Sequence, residues 1–260
     1  MEENIMSMDL STKLSNLQFL VATYKDSLLF LNQPPTALIF SDQPAPTGQT
    51  VEDVSEARDM GVVMWREATT LYVSTQRCGV KVVAPEKCER MMSNLSKLVL
   101  VDAMMLDMSN TVSTFGMFEY CALLKHINGL SAWDMHNVGS LSWMFEGCRS
   151  LENIDELADW DVSQAYSMDG MFCRCRMLEN VDALKSWNVN HVFGMRNMFQ
   201  GCSRLVSVNA LEQWDIIRKD ADLTGMFHEC PHLQVSAKLT EWNTTIADGK
   251  LFEDEGALPF

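Results

Sequence analysis

The chain has 260 residues, 47% hydrophobic and 21% charged, with a formal net charge of −15 at pH 7. This is enough apolar material for a sizeable core, and the acidic balance argues against a nucleic-acid or anionic-membrane surface, which needs clustered Lys and Arg. No run approaches the ~18 apolar residues of a membrane span, and the acidic start MEENIMSMDLSTK lacks the features of a secretory signal, so a cytoplasmic location is expected.

The first pattern along the chain is an apolar stripe: Leu10, Leu14, Leu17, Val21, Tyr24, Leu28 and Leu31, stepping alternately by four and three. The spacing predicts a helix with Asp9 or Ser11 at its start and Pro34-Pro35 at its end. Such a helix can lid the open end of a repeat array, or it can pair with a copy of itself as a short coiled coil. A Pro-rich connection follows, including Pro44 and Pro46, and the acidic stretch from Val51 to Trp65 predicts a second helix. Residues 1–77 therefore read as an N-terminal helical capping region, and residues 78–260 as a repeat solenoid.

The repeat announces itself five times: MFEYC from Met117, MFEGC from Met144, MFCRC from Met171, MFQGC from Met198 and MFHEC from Met226. The period is 27 residues, with one 28-residue step at the end. Each phrase is followed by a Leu (Leu124, Leu151, Leu178, Leu205, Leu233) and later by a Trp (Trp133, Trp160, Trp187, Trp214, Trp242) with Asp or Asn after it. Upstream, Met91-Met92 and Leu98 echo the phrase; downstream, Leu251-Phe252 and Leu258 look like a shortened last coil. One such coil cannot remove its Leu, Ile, Trp, Met and Phe from water alone, so copies must stack, each residue type above its own copy. The L-x-x-I-x-x-L-x-x-W segment reads as a short strand and turn. The M-x-x-M-F-x-x-C segment reads as a short helix, with Ser140 and Ser167 placed to cap it. The expected fold is an α/β solenoid of 27-residue coils, a short parallel strand and a short helix in each.

Several columns carry groups with possible chemistry. Cys121, Cys148, Cys175, Cys202 and Cys230 occupy one repeat position, which suits small buried side chains better than a metal site, since a column does not make a tetrahedron. Cys173, Cys78 and Cys88 lie off that column. His228, Cys230 and His232 form an H-x-C-x-H run, but Cys230 belongs to the column and Pro231 turns the chain beside it. The Asp and Asn residues after each Trp suit hydrogen bonding to a repeated turn better than calcium. No phosphate-binding Gly loop, zincin helix or hydrolase elbow is present. No enzymatic activity, cofactor or metal is expected.

The phrase W-D-V-x-x-x-x-x-M-x-x-M-F-x-x-C-x-x-L resembles the BspA-like leucine-rich repeat of bacterial surface proteins, the type also seen in mycoplasma lipoproteins. Thr70-Leu71-Tyr72-Val73-Ser74 and Ala84-Pro85-Glu86-Lys87-Cys88 look like the entry to such an array. The resemblance implies a solenoid used for attachment and protein–protein recognition, often at a cell surface, and supplies no catalytic residues. Free cysteines and the absent signal favour a reducing compartment instead. The expected function is a non-catalytic protein-binding or adhesion module, monomeric or weakly dimeric, with no membrane insertion. The rivals are an intracellular scaffold dimerised through the N-terminal stripe, and a thiol or metal protein. Ligand-facing candidates are residues that vary while the ladder stays fixed: Tyr166 and Phe193 where another coil has Gly139, with Glu152, Glu156 and Glu179 as an acidic rim. The alternative for the aromatic pair is a plug between coils. The extra residue between Trp214 and Met226, near Arg218-Lys219-Asp220, is read as a solvated loop.

Overall fold

A computed structural model describes residues 34–57, 60–214 and 220–240. The apolar stripe from Leu10 to Leu31, the Trp242–Asn243 pair, the shortened last coil and residues 215–219 of the loop after Trp214 lie outside the described residues. What is described is a repeat-like assembly of short strands, tight turns and short 3₁₀ turns.

The part ahead of the repeat is built from strands. β1 (Ala37–Ser41), β2 (Glu52–Asp53), β3 (Val63–Glu67) and β4 (Thr70–Ser74) join β6 (Leu100–Asp102) and β8 (His126–Asn128) in one sheet, ordered β2-β3-β4-β1-β6-β8. β5 (Val82–Val83) and β7 (Leu106–Asp107) form a separate parallel pair. β1 lies between β4 and β6, parallel to both, so the non-repeating segment continues the ladder that the first coils begin. Its alternation sends Leu38 and Phe40 into the core.

The helix expected from Val51 to Trp65 is not formed. Asp53 takes backbone N–H groups into its carboxylate, from Ser55 at 3.0 Å and Met60 at 3.1 Å, which holds a loop where a helix would need those donors. Val63 to Glu67 then form β3, paired with β4 along its length and with β2 at Val63 and Met64. In the described residues, the covering of the first coil therefore falls to strands.

From Lys87 onward, successive copies lie one above the next. Parallel bridges link Lys87, Ser113, Ser140, Ser167, Gly194 and Asp222, at a spacing of 27 residues in the middle steps, 26 at the first and 28 at the last. The core is a set of like-on-like ladders. Phe118, Phe145, Phe172, Phe199 and Phe227 stack with centroids 5.6–5.8 Å apart, and Trp133, Trp160 and Trp187 at 6.1–6.2 Å. These rings and the Met and Leu columns beside them are buried, at about 1.5–3 kcal/mol for each large side chain.

The M-x-x-M-F segment is not the predicted helix but a succession of tight turns. Met117 N–H donates back to Thr114 O at 3.0 Å, while the alternate donors leave the coil: Gly116 to Ser142 O (2.9 Å), Phe118 to Met144 O (2.8 Å) and Tyr120 to Glu146 O (2.7 Å). An α-helix would spend all these donors within itself. The left-handed backbone at Gly116 and Tyr120, repeated at Trp143 and Gly147 and at Gly170 and Arg174, breaks the helical path and frees them for the neighbour. Ser140 and Ser167 accordingly cap nothing; they are rungs of the bridge ladder. Among the described residues the L-x-x-I-D-x-L-x-x-W segment forms a strand at β8 and winds as 3₁₀ turns at Leu130–Ala132, Asp155–Leu157, Asp182–Ser186 and Asn209–Gln213.

Candidate functional site

Tyr166 and Phe193 precede the bridge positions Ser167 and Gly194, and the backbone holds them in register: Tyr166 N–H donates to Gly139 O (2.8 Å) and Phe193 N–H to Tyr166 O (3.0 Å). Their rings stack, with centroids 5.9 Å apart and planes 15° from parallel. They stay 48% and 46% exposed, whereas the Phe ladder is almost wholly buried. The other residues of this column are Val112, Gly139 and Ala221, so the aromatic pair interrupts a column of small side chains. The Tyr166 ring fills the notch that Gly139 leaves: a Cβ at 139 would lie 2.5 Å from Tyr166 Cε1. The pair thus plugs one coil and shows an edge to solvent at the same time. A groove of about 620 Å³ runs beside it, lined by Lys87, Glu89, Val112, Asn137, Gln164 and Tyr166 among others.

The expected acidic rim is not beside these rings. Glu152 and Glu179 immediately precede Asn153 and Asn180, about half a coil away along the chain. Glu152 faces Lys125 at 3.7 Å, Glu179 pairs with Arg204, and Glu156 Oε2 accepts the Ser131 N–H at 3.3 Å. Glu156 lines a separate crevice with Ile127, Leu130 and Ile154, and none of the three glutamates lines the aromatic groove. The five candidates therefore fall into two groups on different parts of the coil.

The cysteine column is a hydrogen-bonding column. Cys148 Sγ–H donates to Phe118 O, Cys175 to Phe145 O and Cys202 to Phe172 O, each at 3.2 Å; Cys121 and Cys230 do the same to Met92 O and Phe199 O. All eight cysteines are free, and only Cys78 is exposed. Burial pushes the Cys121 and Cys173 thiols up to about 12, that of Cys230 to about 11, and those of Cys148, Cys175 and Cys202 well above the ordinary range. Such thiols stay protonated at neutral pH, the opposite of an activated nucleophile. In the H-x-C-x-H run, Cys230 is turned to the Phe199 carbonyl while His228 Nδ1 meets Gln200 Nε2 at 3.3 Å. Among the described residues no group of three or more His, Cys, Asp or Glu is arranged to hold a metal ion.

Asp134, Asp161 and Asn188, each following a Trp, bind their own turns: Asp134 Oδ1 accepts from His136 N–H (3.3 Å), Asp161 from Ser163 (3.0 Å) and Asn188 from Asn190 (3.2 Å). A group that sequence reasoning missed is a column formed by Glu119, Glu146, Cys173, Gln200 and His228. Glu119 and Glu146 are buried; Arg90 Nε donates to Glu119 at 2.8 Å and Tyr120 OH to Glu146 at 3.0 Å. Burial, with the Glu119 charge adding to it, raises the Glu146 carboxyl above its ordinary range. The available signal was the acidic residue after MF in two adjacent phrases.

Residues 86–214 and 112–242 match the family described as "Mycoplasma protein of unknown function, DUF285". The two overlapping matches together span more than half of the chain. No curated protein and no solved structure matches. Among the described residues no helix is long and apolar enough to cross a membrane.

Proposed function

The chain belongs to this family of mycoplasma proteins of unknown function, and from that premise we propose that it is a non-catalytic binding module that recognises another protein through the side of a repeat solenoid. The observation that carries the reading is the Tyr166–Phe193 pair, among the described residues the one stacked aromatic pair of the repeat left half exposed while its neighbours in the array are sunk in the core. Rigid, preordered aromatic side chains lose little entropy on binding and make good anchors. The groove beside them offers further polar and apolar contacts. The buried, neutral thiols favour a structural over a reactive role for the cysteines. The resemblance of the repeat to the BspA-like type supports attachment or adhesion as the use of such a surface.

The test is the double substitution Tyr166→Ala with Phe193→Ala. Partner capture from host-cell and neighbouring-cell lysates should be lost, with the melting temperature lowered by only a few degrees because both rings are half in water already. Unchanged capture, or a collapse of the fold, would show that the pair is packing and not an anchor.

A further inference from the structure

The groove beside Tyr166 draws its lining from four successive coils: Lys87 and Glu89 from the first, Val112 from the second, Asn137 from the third, and Gln164 with Tyr166 from the fourth. At the roughly 4.8 Å spacing of neighbouring strands this is a run of about 14 Å. Its volume of about 620 Å³ falls within the roughly 300–1,000 Å³ of ligand pockets. Phe193 backs the Tyr166 ring on the side of the following coil, so the opposite face of the ring is the one turned to Gly139 and the groove. Along this column the main chain is already paired: Val112 N–H donates to Glu86 O (2.8 Å), Gly139 N–H to Val112 O (2.9 Å) and Tyr166 N–H to Gly139 O (2.8 Å). An extended peptide laid here would find those amide groups taken, so recognition falls to side chains.

Those side chains form a neutral surface. Lys87 and Glu89 offset one another at one end, and the rest of the lining is apolar, amide or hydroxyl-bearing. The lining is thus without net charge on a chain that carries −15. A cationic ligand finds no cluster of carboxylates in it, and an anionic one meets the negative field of the whole molecule. Planar amides beside the face of a half-exposed aromatic ring match a sugar. The C–H groups of a sugar ring pack on the electron-rich aromatic face, and each of its hydroxyls both donates and accepts at an amide. Asn137 is positioned in advance, its Nδ2 donating to Ser109 O at 2.8 Å, and Gln164 stands exposed at the rim.

We propose that this groove binds a neutral oligosaccharide, of the kind carried on a glycoprotein. One sugar ring stacks on Tyr166, its hydroxyls are shared between the Asn137 and Gln164 amides, and the following units lie along Val112 towards Lys87 and Glu89. This rests on the reading of the aromatic pair as the anchor of the binding face, and names the chemistry that the anchor recognises. Few polar groups fix the orientation of the ligand while the ring supplies contact area, the division of labour usual in such pockets.

The probes are the neutral tetrasaccharides of N-acetylglucosamine, glucose, galactose and mannose, titrated against the full chain by calorimetry, with saturation-transfer NMR read on the sugar protons. The expected result is saturable binding of at least one of them with a dissociation constant below about 1 mM, and saturation concentrated on the C–H protons of one sugar unit. Tyr166→Ala should weaken that binding about tenfold or more. Gln164→Ala, at the exposed rim, should weaken it about threefold or more with an unchanged melting temperature. Partner capture from lysates should be lost once glycosidases have removed their neutral glycans. No binding of any probe up to about 10 mM, binding unchanged in both variants, or capture that survives glycosidase treatment would each overturn the proposal. Capture that survives the treatment but is lost in the double variant at Tyr166 and Phe193 would leave the aromatic site standing with a protein surface as its ligand, which tells the two failures apart.

Discussion

Gly170 has φ of +58°, and a Cβ placed there would lie 2.2 Å from Cε3 of Trp143. Both the backbone conformation and the ring above demand glycine. Gly170→Ala is expected to cost about 1–3 kcal/mol in urea denaturation. Removing the obstructing ring with Trp143→Ala should return part of that loss in a double-mutant cycle. Gly201→Ala is the control: its Cβ would be 3.3 Å from the flexible Arg174 Cγ, so the conformational part of the cost remains but most of the clash does not. At this scale the sequence was legible where a residue repeats itself. The Cys column and the Asp or Asn after Trp were read as structural from their recurrence, and the hydrogen bonds of Cys148 and Asp161 are of that kind. It was opaque where the meaning of a residue depends on the cross-section of the coil. Glu152 and Glu179 could be placed in their coils by counting, but which side they share with Tyr166 depends on how the chain turns between them.

Among the elements, the 3₁₀ turns have no side-chain cap at their starts and are tied to the next coil through a leucine carbonyl. Leu130 O accepts both the Trp133 N–H (3.0 Å) and the Trp160 indole N–H (2.8 Å); Leu157 and Leu184 do the same with Trp187 and Trp214. The indole is thus a clasp as well as a core ring. Trp160→Phe keeps an aromatic in the ladder and removes the clasp, with an expected cost of about 1–3 kcal/mol for the lost bond and the vacated ring volume. The check is a lower denaturant midpoint at unchanged slope. The M-x-x-M-F segment shows why a helix was expected there. Consecutive tight turns and a helix both bring apolar residues to one side every three or four positions. The distinguishing information is the left-handed residue at Tyr120 or Arg174, types that do not advertise that conformation.

For the molecule as a whole, seven of the eight thiols are withdrawn from solvent to differing degrees, and for these the folded chain resists ionisation. A thiol raised in the folded state contributes stability that is fully present below its unfolded value near 9 and is lost as pH rises through its folded value, about 12 for Cys88, Cys121 and Cys173. Stability should therefore fall between pH 8 and pH 10, by about 1 kcal/mol for each fully buried thiol. Urea titrations at the two pH values measure it, and a flat profile would mean that the column is open to solvent in solution. In the same experiment at pH 8, iodoacetamide should label Cys78 rapidly and the remaining cysteines only as fast as the stack opens. The stacked architecture was legible at this scale because the period is so regular. The strand cap from β1 to β4 was not, since those residues repeat nothing and the acidic composition of Val51 to Trp65 suits a helix equally well.

The glycine beneath Trp143 belongs to a wider alternation. Down one column run Gly116, Trp143, Gly170, Asn197 and Gly225; down another, Tyr120, Gly147, Arg174, Gly201 and Glu229. A larger side chain in one coil leans over a glycine in the next, as Tyr120 does over Gly147, where a Cβ would lie 2.6 Å from the ring. Arg90 and Asn94 hold the same conformation one coil earlier, so the second column opens with two larger side chains and the alternation holds from Tyr120 onward. Excising the single coil that carries Trp143 and Gly147 would set Tyr120 against Arg174, whereas excising two adjacent coils restores the order of large over small. At these positions the structural unit of the middle coils is thus a pair, twice the 27-residue period of the sequence.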